Sequence, residues 1–229
     1  MRRLITFMAA AAMLAALPGA GAAQQSRAQE DASIAALARV MAPADHAELV
    51  IVLRDARARG LSVQPLIAKA QEGAAKNVPR IAAAVRGTMQ LMVRAQALLQ
   101  GPEAATDAEV NAVAIALQRG VPEDAIRGLS ADARTRASIA VAAHVLGDLM
   151  AHGVPVAVGV EAVQAWHTRP GNAAGMNEIP AAVERLVRQG VVPARAGAAV
   201  AAGLRLGRTP GSITAPDVPR LLRPGTRGG

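Results

Sequence analysis

The sequence predicts an all-α fold in which helical hairpins stack into a short α-solenoid or an irregular helical bundle. Three observations predict it: a turn pattern that recurs along the chain, apolar residues at helical spacing between the turns, and a single segment composed like a strand. The turn reads Arg59-Gly60-Leu61-Ser62, Arg119-Gly120-Val121-Pro122, His152-Gly153-Val154-Pro155 and, one residue longer, Gln189-Gly190-Val191-Val192-Pro193. Glycine just past a helix can close its last turn in the left-handed conformation, and the apolar residue after it packs back on that turn. Proline or serine then suits the start of the next helix. From Gly120 to Gly153 is 33 residues and from Gly153 to Gly190 is 37, periods within the range of helical repeats. The interval from Gly60 to Gly120 would hold two units, with Gly101-Pro102 as a worn turn. The aromatic signature of tetratricopeptide repeats and the Thr-Pro-Leu-His of ankyrin repeats are both absent.

In chain order, residues 1–23 come first and read as a signal peptide. Arg2-Arg3 precedes an apolar run from Leu4 to Leu17 and a small-residue stretch, Pro18-Gly19-Ala20-Gly21-Ala22-Ala23, the layout of a secretory leader cleaved near Ala22 or Ala23. The expected location is periplasmic or secreted. The helical repeat-like domain spans residues 24–206. Within it, Leu49-Val50-Ile51-Val52-Leu53 has a strand's composition, but its flanks are helix-like and it has no strand to pair with. Ile81, Val85, Met89, Met92 and Leu99 form one stripe of a helix of about 20 residues, with Arg86, Gln90 and Arg94 opposite. Val110, Val113, Ala114 and Leu117 follow Thr106 and Glu109, a capping-box pattern. Ile179, Val183, Leu186 and Val187 repeat the arrangement behind Asn177 as N-cap. Residues 207–229 are rich in Pro and Gly and are expected to be a disordered, flexible basic tail.

Composition excludes several chemistries. The chain has 229 residues, no cysteine and 52% hydrophobic residues, so disulfides, thiolate metal sites and cysteine nucleophiles are out while a core is affordable. Its only aromatics are Phe7 and Trp166, too few for the stacking platforms of single-strand nucleic-acid binders. The formal charge of +8 concentrates at the ends: residues 24–204 carry 18 basic and 16 acidic groups. Nucleic acid is therefore not an expected partner. Arg205, Arg208, Arg220, Arg223 and Arg227 form the basic end, a candidate tether to anionic lipid or polymer of the envelope.

Chemically capable clusters are few. His144, Asp148 and His152 lie at i, i+4 and i+8, a candidate metal face, although the end members are about 12 Å apart along a straight helix. The same spacing suits a solvated polar face with His152 favoured at the helix C-terminus. Trp166 is expected to plug a gap between hairpins, His46 to sit on a first helical turn, and Lys69, Glu72 and Lys76 to pair on a helix surface. Met41, Met89, Met92, Met150 and Met176 read as core filling rather than copper ligands. Neither His46 nor His167 has a serine or carboxylate at a recognisable motif spacing, and G-x-S-x-G, H-E-x-x-H, S-x-x-K and phosphate-loop motifs are absent. The expected function is an exported, non-catalytic helical binding or scaffold protein with a protein or peptide partner and no cofactor. An envelope protein tethered by its basic tail and a metal-binding protein are the alternatives.

Overall fold

The computed structural model describes residues 18–101, 104–168 and 173–223, and every regular element among them is helical. The first half comprises α1 (Pro18–Leu37), α2 (Pro43–Ala58), α3 (Gln64–Ala75), α4 (Ile81–Leu98), α5 (Asp107–Gln118) and α6 (Glu123–Ala131). The second comprises α7 (Ala133–Arg136), α8 (Ile139–Ala151), α9 (Val156–His167), α10 (Glu178–Arg188), α11 (Pro193–Arg205) and α12 (Val218–Leu221), with 3₁₀ turns at Ala173–Asn177, Pro210–Ser212 and Ala215–Asp217. The strand-like segment 49–53 lies inside α2, burying Leu49, Val52 and Leu53. The stripe on α4 is buried at Ile81, Val85, Met89 and Met92. Among the described residues no helix is long and apolar enough to cross a membrane.

The recurring turn is a Schellman closure. Gly60, Gly120, Gly153 and Gly190 have φ of 72°, 88°, 79° and 87°, a region that costs other residues strain. At each, the next residue's N–H donates across the turn, Leu61 to Ala56, Val121 to Ala116, Val154 to Leu149 and Val191 to Leu186, all at 3.0 Å. Two further turns share this geometry. Asn77 (φ 51°) closes α3, with Val78 N–H donating to Gly73 O at 2.9 Å, and Gly207 (φ 80°) closes α11, with Arg208 N–H donating to Gly203 O at 3.0 Å. The worn turn is thus Asn77-Val78-Pro79 rather than Gly101-Pro102: Gly101 is not left-handed, and Pro102 lies outside the described residues.

The helices pack as a chain of neighbours. α1 lies on α3, α2 and α3 lie on α4, and the series continues through α4 on α5, α5 on α8, α8 on α9 and α9 on α11. The first two turns make corners, since α2 and α3 both rest on α4 and α6 packs on α4, α8 and α9; the last two make hairpins, α8 with α9 and α10 with α11. Small residues let the backbones approach. A Cβ on Gly159 of α9 would lie 2.6 Å from Leu146 Cδ1, and one on Gly197 of α11 would lie 2.8 Å from Val154 Cγ1. Arginine–carboxylate pairs bridge successive junctions: Arg57–Glu30 (2.9 Å), Arg86–Glu48 (2.8 Å), Arg94–Glu123, Arg136–Glu109, Arg119–Asp148 (2.5 Å) and Arg205–Glu161 (3.1 Å). The solvent-exposed pairs contribute at most about 1 kcal/mol each, so they fix register more than they stabilise, while Arg136–Glu109 is partly buried.

Residues 207–223, expected within the flexible tail, fold back on α10 and α11. Ile213 and Val218 are buried. The Arg185 guanidinium donates to the carbonyls of Pro210 (3.1 Å), Gly211 (3.4 Å) and Ile213 (3.2 Å). Thr214 and Asp217 form a capping box, and Asp217 also accepts from Arg208 at 2.9 Å. Proline and glycine here shape two 3₁₀ turns instead of preventing order. Residues 224–229 of the expected tail lie outside the described residues.

Candidate functional site

The metal candidate is brought together only in part. His144 Nε2 lies 3.2 Å from Asp148 Oδ2, while Asp148 Oδ1 accepts from Arg119 of α5 at 2.5 Å. His152 caps the C-terminus of α8, one turn further on. A guanidinium thus occupies the carboxylate that a metal would need. No group of three metal-capable His, Asp or Glu side chains occurs among the described residues.

The basic end is divided. Arg205 pairs with Glu161, and Arg208 pairs with Asp217, whose carboxyl is held well below the usual range by that guanidinium and by the Thr214 N–H and hydroxyl. Arg220 and Arg223 are exposed, and Arg227 lies outside the described residues. Two of the five expected anion-binding arginines are therefore already matched by carboxylates of their own chain.

Other expectations resolve individually. Lys69 and Lys76 hold Glu72 at 3.0 and 2.6 Å, depressing its carboxyl to about 2. Met41, Met89, Met92 and Met176 are buried, and Met150 is half-buried against the core. Thr106 and Glu109 form the expected capping box. Burial pushes Glu109 up, but the Arg136 guanidinium and Thr106 outweigh it and leave the carboxyl below its ordinary value. Asn177 precedes α10 but makes no side-chain cap, because the 3₁₀ turn before it already carries helical backbone. His46 does more than sit on a first turn: its Nε2 lies 3.2 Å from the Ile34 carbonyl, joining α2 to α1. Trp166 packs over Gly175, where a Cβ would meet the indole Cη2 at 2.7 Å.

Beside Trp166 lies a cluster that motif spacing does not reveal. His167 Nε2 at the end of α9 is 3.1 Å from Ser138 Oγ at the start of α8. Burial lowers the His167 pKa below its ordinary value against the opposing field of Asp132. Ser138 Oγ is also 3.3 Å from the Thr135 carbonyl, and Ser138 makes no cap to α8 although it stands at the N-cap position. Thr135 is fully buried, and among the described residues its hydroxyl is the one buried side-chain polar atom without a partner.

The other candidate is a groove of mixed polarity at the first end of the array. Two adjoining hollows, of about 540 and 320 Å³, share Val40 and Ala74. Ala36, Leu37 and Ala75 line the smaller, apolar one, and Val78, Pro79 and Ile81 line the larger together with the charged Asp45, Glu48 and Arg80. Compared with protein-family models, curated proteins and solved structures, the chain matches none.

Proposed function

We propose that the chain is an exported helical binding module that holds a protein or peptide partner through apolar side chains entering the groove formed by α1, α3 and the turns that follow them. The observation that carries this reading is the exposure of Val40 (68%) and Val78 (38%) on that groove. Isolated exposed apolar residues are ordinary, but two that share a hollow edged by the charged Asp45, Glu48 and Arg80 resemble the apolar centre and polar rim of interfaces. Leu37, Met41 and Ile81 are the groove's buried lining residues, an apolar base for a partner's Leu, Ile or Met side chains. Stacked helices suit this use, since such arrays present extended surfaces to protein partners. Export rests on the leader-like residues 1–23.

The test is a photo-crosslinking amino acid placed at Val40 in cells, with a second at Arg195 on α11 as a control surface. A discrete adduct from Val40, absent from Arg195 and lost on Val78→Asp, is the expected result. No adduct at Val40, or the same adducts from both positions, would overturn the proposal.

A further inference from the structure

We propose that Ser138 is an acyl-accepting nucleophile, activated by His167 and directed at carboxylic esters. The inference goes beyond partner binding and rests on different residues. Its base is geometric. Ser138 Oγ and His167 Nε2 are 3.1 Å apart, within reach for a hydroxyl proton to pass to an imidazole. Both side chains are half-buried, so the pair is partly open to solvent. Asp132, whose charge acts on His167, favours the imidazolium that proton transfer creates.

A serine at an N-cap position normally turns its oxygen onto the first-turn amides. Ser138 does not. The amides at the start of the 13-residue helix α8, which have no intrahelical acceptors, therefore remain free of a Ser138 cap and available to a developing oxyanion. A second observation is independent of that helix end: Thr135, three residues before Ser138, keeps a fully buried hydroxyl without a partner. The core is otherwise apolar among the described residues. A buried hydroxyl left unsatisfied is costly to keep for packing alone.

The chemistry balances without a further reagent. Ser138 Oγ bonds to the ester carbonyl carbon as its proton moves to His167 Nε2. The ester C–O bond then breaks, and the leaving alkoxide takes that proton. Water attacks the acyl-serine, giving a proton to Nε2; the Oγ–C bond breaks, the acid departs, and the proton returns to Ser138 Oγ.

The experiment uses the purified full chain and a fluorophosphonate probe, read by intact mass and peptide mapping. The expected result is one adduct, on Ser138. It should be absent in Ser138→Ala and slowed about 100-fold in His167→Gln, the scale of a lost general base. Urea-unfolded chain reports whether labelling depends on the fold, so a variant that unfolds does not confuse the outcome. In the folded wild type the labelling rate should also fall as His167 is protonated. No adduct on folded wild type, an adduct on another serine, or equal labelling of unfolded chain would each overturn the proposal.

Discussion

Ile213 occupies the space that Gly203 leaves on α11, where an added Cβ would lie 2.6 Å from Ile213 Cδ1 and 3.0 Å from its Cγ1. The docking of residues 210–221 depends on this contact as well as on Arg185 and Arg208. Gly203→Ala sets two effects against each other. Alanine in a helix interior gains about 1 kcal/mol over glycine, while overpacking costs typically about 1–3 kcal/mol. Ile213 is buried and held by the carbonyl that Arg185 grips, so it yields little and the overpacking cost should win. Gly87, exposed on α4 with nothing within 4 Å of an added Cβ, has only the first effect. Thermal melts should show Gly203→Ala lowering the transition and Gly87→Ala raising stability by about 0.5–1 kcal/mol. Equal shifts for both would refute a close fit of Ile213 to α11.

The turn glycines carry a separate cost. Gly120 has φ 88° and open space around its missing Cβ, so Gly120→Ala meets no clash and pays only for the left-handed backbone, about 1–2 kcal/mol. Asn77 occupies the equivalent place after α3 at φ 51°, a conformation that asparagine tolerates and glycine adopts freely. Urea denaturation should find Gly120→Ala destabilised on that scale and Asn77→Gly neutral or slightly stabilised. A neutral Gly120→Ala would mean that the turn does not require the left-handed conformation.

Much of the architecture was legible because the turn residues act locally. Gly153 with Val154 and Pro155 dictates its own hydrogen bonds whatever surrounds it, and so the helix ends could be placed. The turn at Gly207 repeats the Gly-x-x-Pro spacing of Gly190 to Pro193, yet the Pro and Gly content of residues 207–229 reads as a flexible tail. Its order comes from Asp217, nine residues from Arg208, and from Arg185, 25 to 28 residues from the carbonyls it holds, partners that no local pattern announces. The Ser138–His167 pair was hidden for a related reason. These residues lie 15 positions before and 14 after Gly153, so an antiparallel α8–α9 hairpin must bring its two open ends together. The turn and both residues stand in the sequence, and the pair forms only once the hairpin folds back about its glycine. The first two turns show why that step is not general, since α2 and α3 diverge onto α4 under tertiary packing.

Acid should destabilise the fold in two stages, and the first belongs to His167. Burial lowers its pKa in the folded chain below the ordinary value of 6.5, with Asp132 opposing the shift. Between the folded pKa and 6.5 the unfolded chain therefore binds a proton that the folded chain does not. Stability rises with pH wherever the unfolded state binds more protons, so it must be lost as pH falls below 6.5, the loss ending once the folded imidazole is also protonated. The second stage comes from Glu109, Glu72 and Asp217, all depressed in the fold. Their stabilisation is present above the unfolded carboxyl pKa and disappears as pH falls through the folded values, with Glu72 persisting to about 2. Melting temperatures taken from pH 8 to pH 3 should show a decline beginning near 6.5 and a steeper one below the ordinary carboxyl range. In His167→Gln the upper decline should flatten while the lower one remains, because glutamine does not titrate and the carboxylates are untouched. An upper decline of unchanged size in His167→Gln would assign that stage to another group and remove His167 from the buried, neutral state that its contact with Ser138 implies.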